Sequence, residues 1–471
     1  MKTTLYYYMC AVLVTTTTTA QITFTPAFID NSETTANAAN SVTAADFNND
    51  GNIDVAGAAF QSDIFSVYLN DGTGNFTQQT IDIDPVTANG ARFVLSKDLD
   101  QDGDQDILAT SSTADHYLWY ENDGNAAFTK HVIDNSSLAN EAYGIDAADF
   151  NQDGHLDIVG GANSGDALAI FSNDGSQNFL LFSDLSTGNA FTDGVRAVKA
   201  VDLDQDGDPD ILVAANSGDT YSWFENDGSG VFTPHVIDNS TNANGASQIQ
   251  AADLDGDGDL DVLGASNLGD VFLWFENDGS QNFTSHIIDN SMFANGPRGL
   301  AVVDLEQDGD IDVLTATISG DVFAWYENDG AGNFTPALIS NDQNYTSGAF
   351  AITAADIDND LVDDIIVAAN VADAFSWFKT EGVVILGTDE SNVGQFQLYP
   401  NPASEVIQFT LPNGVLISEI TITDVSGKRI MDVSEAAINN QSIKTNKLSN
   451  GLYLISFVTD KGTVSKRFIK K

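Results

Sequence analysis

The chain has 471 residues and carries 17 Lys+Arg against 69 Asp+Glu, a formal net charge of −52. That sign argues against nucleic acid as a partner of the main body, and a hydrophobic fraction of 42% excludes a disordered acidic tail. The imbalance sits in residues 21–383, with 7 basic and 61 acidic residues, whereas residues 384–471 hold 9 and 8, so a folded main body needs bound cations or counter-ions.

Residues 1–20 read as a signal peptide. Lys2 supplies the positive start, Leu5 to Val14 an apolar stretch, and "TTA" a small-residue cleavage site before Gln21. The apolar stretch is too short for a membrane anchor. Cys10 is the only cysteine. It follows Met9 rather than a small residue, so it does not form a lipoprotein junction. The mature chain is expected to be exported without disulfides, which makes metal ions the expected staples.

From Asp46 a nine-residue acidic motif, D-x-[DNE]-x-D-G-x-x-D, recurs seven times at intervals of 52, 51, 53, 51, 51 and 52 residues. A period near fifty marks a propeller or a solenoid. The first, third, fifth and ninth positions are Asp46, Asn48, Asp50 and Asp54 in the first copy and Asp98, Asp100, Asp102 and Asp106 in the second. They are Asp149, Asn151, Asp153 and Asp157 in the third, and Asp202, Asp204, Asp206 and Asp210 in the fourth. The fifth has Asp253, Asp255, Asp257 and Asp261, and the sixth Asp304, Glu306, Asp308 and Asp312. The seventh has Asp356, Asp358, Asp360 and Asp364, with Leu361 where the others have glycine.

Each unit has the same order. An apolar run precedes the acidic loop and "DILVAA" or "DVLGAS" follows it. A turn such as "NSGD", an aromatic run such as "VFLWFEN", an "NDG" hairpin signal and a closing "FTPHVID" complete the unit. These are four short strands, one propeller blade. The seventh unit lacks its last strand, and "FTPAFID" at Phe24–Asp30 supplies the missing piece. The expected fold is therefore all-β: a closed seven-bladed propeller of four-stranded blades over 21–383, then a linker at 384–395 and a small β-sandwich at 396–471.

Carboxylates at the first, third, fifth and ninth positions, with a backbone carbonyl near the seventh, would form an all-oxygen shell. Such a shell suits Ca²⁺ better than Mg²⁺. Seven copies in phase make several structural calcium ions the expected cofactor, with the seventh loop the weakest binder. Solvated Asp-rich turns are the alternative. On these loops the chain resembles FG-GAP or VCBS-type repeats, related to the calcium-binding blades of integrin alpha subunits. The resemblance covers about residues 21–383. It implies a calcium-stabilised propeller outside the cell, often in adhesion or carbohydrate recognition, and no single activity.

The tail reads "LYPNPA", "DVSGK", "GLYLI" and a basic C-terminus. It resembles the C-terminal sorting domain of the type IX secretion system of Bacteroidetes. That implies export by this machinery to the outside of the cell or the outer-membrane surface.

Phase separates scaffold from site. Trp119, Trp223, Trp274, Trp325 and Trp377 stand at one fixed offset from the first Asp of their loops, and His131, His235 and His286 share another. These read as repeat residues for packing, with a sugar platform as the lesser reading. His155 lies within the third loop, and His116 breaks the pattern. The arginines of the repeat region, Arg92, Arg196 and Arg298, each lie six residues before their acidic loop. Asn40, Tyr143, Ser247 and Phe350 take that place in the other blades. In a closed ring these seven positions would circle one channel mouth. There, guanidiniums would favour a carboxylate or sulfate, or would pair with aspartates of neighbouring blades. No catalytic constellation is apparent. A binding or adhesion module for glycan or protein leads. A lyase or hydrolase on acidic polysaccharide, with Tyr143 or His116 as base, is the alternative, and a plain surface structural protein is the third reading.

Overall fold

A computed structural model describes residues 22–186, 190–382, 397–399, 403–410, 417–424, 429–433, 441–449, 451–459 and 462–471. The expected signal peptide and linker fall outside them. Seven four-stranded antiparallel sheets make up the repeat region, one per unit. The second blade is typical: Ala91–Lys97, Asp106–Ser111, His116–Asn122 and Phe128–Asp134, paired in that order. The second strand of every blade is buried along its whole length. Such a strand reads as a continuous apolar run because both faces meet neighbouring blades.

The cores lie between blades. Leu108, Tyr117 and Trp119 of the second blade pack with Ile145, Ile158 and Phe171 of the third. Within a blade the tryptophans repeat one contact. Trp119, Trp223 and Trp274 stack on His131, His235 and His286 at 4.5–4.8 Å between ring centroids. The indoles are buried, so the sugar-platform reading of the tryptophans does not survive.

The ring closes as expected from the displaced strand. Thr23–Asp30 adds antiparallel to Ala374–Glu381 as the outer strand of the seventh blade. A seven-fold latch then joins each blade to the next. Asp63, Asp115, Asp166, Asp219, Asp270, Asp321 and Asp373 share one repeat phase, in the tight turn between the second and third strands. Each carboxylate accepts the backbone N–H at the entrance of the following blade, at 2.6–2.9 Å. The last latch, Asp373 to the Ala38 N–H, spans the seam between the seventh blade and the first. All seven latch aspartates have positive φ, a region in which aspartate is enriched.

The C-terminal unit is described by itself. It has a three-stranded and a four-stranded antiparallel sheet sharing a core of Ile407, Phe409, Ile420, Ile422, Ile455 and Phe457. Among the described residues no helix is long and apolar enough to cross a membrane.

Candidate binding site at the channel mouth

In every innermost strand the pairing register skips the second residue. In the second blade Ala91 pairs with Ser111 and Phe93 with Thr110, leaving Arg92 out. The same slip omits Asn40, Tyr143, Arg196, Ser247, Arg298 and Phe350. A bulge re-aims the side chain it carries. All seven residues line one cavity of about 190 Å³ in the central channel. The acidic loops connect the ends of these strands to the next ones, so they lie on the opposite face of the propeller from the bulges.

The three guanidiniums share this mouth without an ion-pair partner among the described residues. Arg92 donates from Nη2 to the Tyr143 hydroxyl, and its guanidinium carbon lies 3.9 Å from the centre of the Tyr143 ring and 5.2 Å from that of Phe350. Arg196 donates from Nε to Asn163 Oδ1 at 3.3 Å. Arg298 lies 5.4 Å from the Phe350 ring centre. Arg196 Nη1 and Arg298 Nε are buried without a hydrogen-bond acceptor, and so is Asn40 Nδ2. Asp146, a carboxylate of the same channel, is engaged elsewhere. It accepts the Ala147 and Ala200 N–H groups and faces Lys199 at 3.5 Å. Burial lowers the Arg92 pKa from its ordinary value. Burial, followed by repulsion from Arg196, brings that of Arg298 down to about 10. Desolvated like charges held together in this way are stabilised by an anion placed between them.

Other sequence candidates fall elsewhere. His116 is buried with Nδ1 2.6 Å from the Ala114 carbonyl oxygen, and it is not part of the cavity wall. His155 is exposed in the third loop.

In the acidic loops, carboxylates cap the loop's own amides. Asp98 Oδ2 accepts the Gly103 N–H at 3.1 Å and Asp102 Oδ1 the Asp104 N–H at 2.9 Å. The Oδ1 atoms of Asp98, Asp202 and, in the seventh loop, Asp358 remain buried without a donor. Carboxylate oxygens lie within 4.8 Å of one another in Asp98, Asp100 and Asp106, in Asp202, Asp204 and Asp206, in Asp253, Asp255 and Asp257, and in Asp356, Asp358 and Asp360. The ninth position has a further duty that spacing alone does not reveal. Asp106 accepts the Leu99 N–H with one oxygen and the Asn122 N–H with the other, at 3.0 and 2.8 Å. Asp54, Asp210, Asp261, Asp312 and Asp364 do the same in their blades. Burial pushes the Asp106, Asp210 and Asp364 carboxyls up to about 7, and those of Asp54, Asp157 and Asp261 to about 6.

Several in-phase residues went unnoticed in the sequence. Asn70, Asn122, Asn226 and Asn328, at one phase of the repeat, each donate from Nδ2 to the carbonyl of the second loop residue of the preceding blade at 2.7–3.0 Å. Glu121, Glu225 and Glu276, at the position before, hold His131, His235 and His286 at 2.7 Å. Their signal was the same repeat phase that exposed the arginines.

Five overlapping stretches, residues 98–160, 149–213, 202–264, 253–315 and 304–367, match the FG-GAP-like repeat. The chain belongs to the FG-GAP-like repeat family. Residues 397–471 of this FG-GAP-like protein match the secretion system C-terminal sorting domain, so the protein is exported to the cell surface or the extracellular space by the type IX system. No curated protein matches it. Among solved structures it is similar to a chain in the crystal structure of BBS1N in complex with ARL6DN soaked with mercury, and to one in the same complex soaked with lead. In both cases the identity is 12%, the TM-score 0.50, and the match covers 75% of this chain and 96% of the other. At that identity the likeness speaks for the propeller fold alone.

Proposed function

We propose that this exported propeller is a binding module that takes a carboxylate- or sulfate-bearing glycan at the arginine mouth. The observation that carries this reading is the convergence of Arg92, Arg196 and Arg298 on one cavity with no ion-paired carboxylate among the described residues, in a chain of net charge −52. Arg92 is fixed by its stack on Tyr143. Arg196 Nη1 and Arg298 Nε are buried donors with no acceptor among the described residues, on residues that line the cavity. The Tyr143 and Phe350 rings beside them suit the apolar face of a sugar, and fixed donors in a partly dry site are worth more than the same donors in water.

The acidic loops would hold calcium as staples on the opposite face. Their donors are all oxygens, and the orphaned Oδ1 atoms of Asp98 and Asp202 support a cation there. Bound calcium would neutralise each loop and rigidify its blade.

The test is binding of the full mature chain, with calcium, to uronate-rich, sulfated and neutral glycans, alongside the Arg196→Ala, Arg298→Ala double variant. Binding confined to acidic glycans and weakened at least tenfold in the variant supports the proposal. Equal binding of neutral glycans, or no effect of the variant, refutes it. Shortened or unsaturated products in the same reactions would favour the lyase or hydrolase reading, for which Tyr143 is the base within the cavity. Selective capture of acidic protein rather than glycan would instead favour a protein ligand.

A further inference from the structure

The seventh acidic loop differs from the others in what faces it. Lys379, on the third strand of that blade, donates from Nζ to Asp358 Oδ2 and to Asp360 Oδ2, the second at 2.9 Å. The same repeat position is Glu121, Glu225, Glu276 and Glu327 in the second, fourth, fifth and sixth blades. There, Glu121, Glu225 and Glu276 add negative charge near the third-position loop carboxylates Asp100, Asp204 and Asp255. One blade has thus reversed the sign of the residue overlooking its loop. Leu361 also replaces the loop glycine, at a φ of 78°, and Thr380 replaces the bridging asparagine. Asp356, Asp358 and Asp360 still approach within 4.8 Å of one another, so the carboxylate cluster survives while its surroundings have changed.

We propose that the seventh loop takes no divalent ion and that the Lys379 ammonium occupies the cation's place. The inference rests on the calcium reading of the other loops. An ammonium bonded to two of the three carboxylates offsets one of the cluster's negative charges from within the chain, and a second cation beside it would meet its repulsion. Lys379 lies on the strand that pairs with Thr23–Asp30, in register with Thr25. The blade that closes the ring therefore carries part of its balancing charge in the chain itself, and keeps that charge when calcium is withdrawn.

The test is the calcium stoichiometry of the full mature chain, measured by equilibrium dialysis with metal analysis. Lys379→Met should bind one more ion than the wild type. Asp358→Asn with Asp360→Asn should leave the wild-type number unchanged, whereas Asp204→Asn with Asp206→Asn should remove one ion. If Lys379→Met does not fold, the two aspartate pairs still decide the matter. Loss of an ion on changing Asp358 and Asp360 overturns this inference alone. A wild-type chain that binds no calcium sinks the calcium reading of the other loops and this inference with it.

Discussion

Replacing Arg298 by methionine should stabilise the ligand-free protein. The guanidinium has no ion-pair partner among the described residues, its Nε is buried without an acceptor, and it feels repulsion from Arg196 and Arg92. Burial and that repulsion bring its pKa from 12.5 to about 10, which corresponds to roughly 3 kcal/mol against the charged form at neutral pH. Water at the open mouth screens part of this, and the change forfeits the contact with Phe350, worth about 0.5–1 kcal/mol. Methionine keeps an unbranched apolar stem of similar reach. A net gain of about 1–2 kcal/mol remains. Urea unfolding in a chloride buffer with saturating calcium, free of sulfate and carboxylates, measures it directly. Lys130→Met is the contrast. Lys130 faces Asp82 at 3.1 Å and Asp84 at 3.4 Å, so its loss should lower stability by up to about 1 kcal/mol. A fall of more than about 1 kcal/mol for Arg298→Met would mean that the guanidinium supports the fold, and the reasoning that it awaits an anion would be refuted. A gain in stability on removing a charged group, coupled to lost binding, is the usual signature of a functional residue.

Chelation should lower the melting temperature of the mature chain, because calcium bound only to the folded loops contributes about 2.7 kcal/mol per site at a hundred times its dissociation constant; an unchanged melt in excess chelator would contradict the staple reading. In chelator, lowering the pH should raise stability. The folded-state pKa values of Asp54, Asp106, Asp157, Asp210, Asp261 and Asp364, about 6–7, lie above the ordinary 3.8. The native form therefore binds extra protons between about pH 4 and 7 and gains stability as pH falls through that window. A melt at pH 5 below that at pH 8 would count against it. Asp373→Ala should cost about 1–3 kcal/mol by leaving the Ala38 N–H without its acceptor, and should open the seam between the first and seventh blades first, readable as faster amide exchange in Thr23–Asp30 than in any other outer strand.

The blades, their number and the ring closure were legible because the acidic motif returns at nearly constant intervals and "FTPAFID" duplicates a strand missing elsewhere. The mouth was legible only as a phase. Arg92, Tyr143, Ser247 and Phe350 share no chemistry, so no residue pattern announces the bulge that turns them inward. That device belongs to strand register, which depends on how Ala91 and Phe93 pair with their neighbours. The ninth loop aspartates looked like ligands alone because spacing reports proximity along the chain. Their second task, clipping a backbone N–H 16 residues away, depends on the hairpin folding back. Lys379 was hidden for a related reason. A lone lysine on a strand is unremarkable until the fold sets it over Asp358 and Asp360.

The most direct test of the anion-binding mouth is a crystal of the mature protein soaked in selenate, an oxyanion whose selenium scatters anomalously. Anomalous density between Arg196 and Arg298, absent from the Arg196→Ala, Arg298→Ala variant, is the expected result. Selenate bound elsewhere on the surface while the mouth stays empty would contradict the claim.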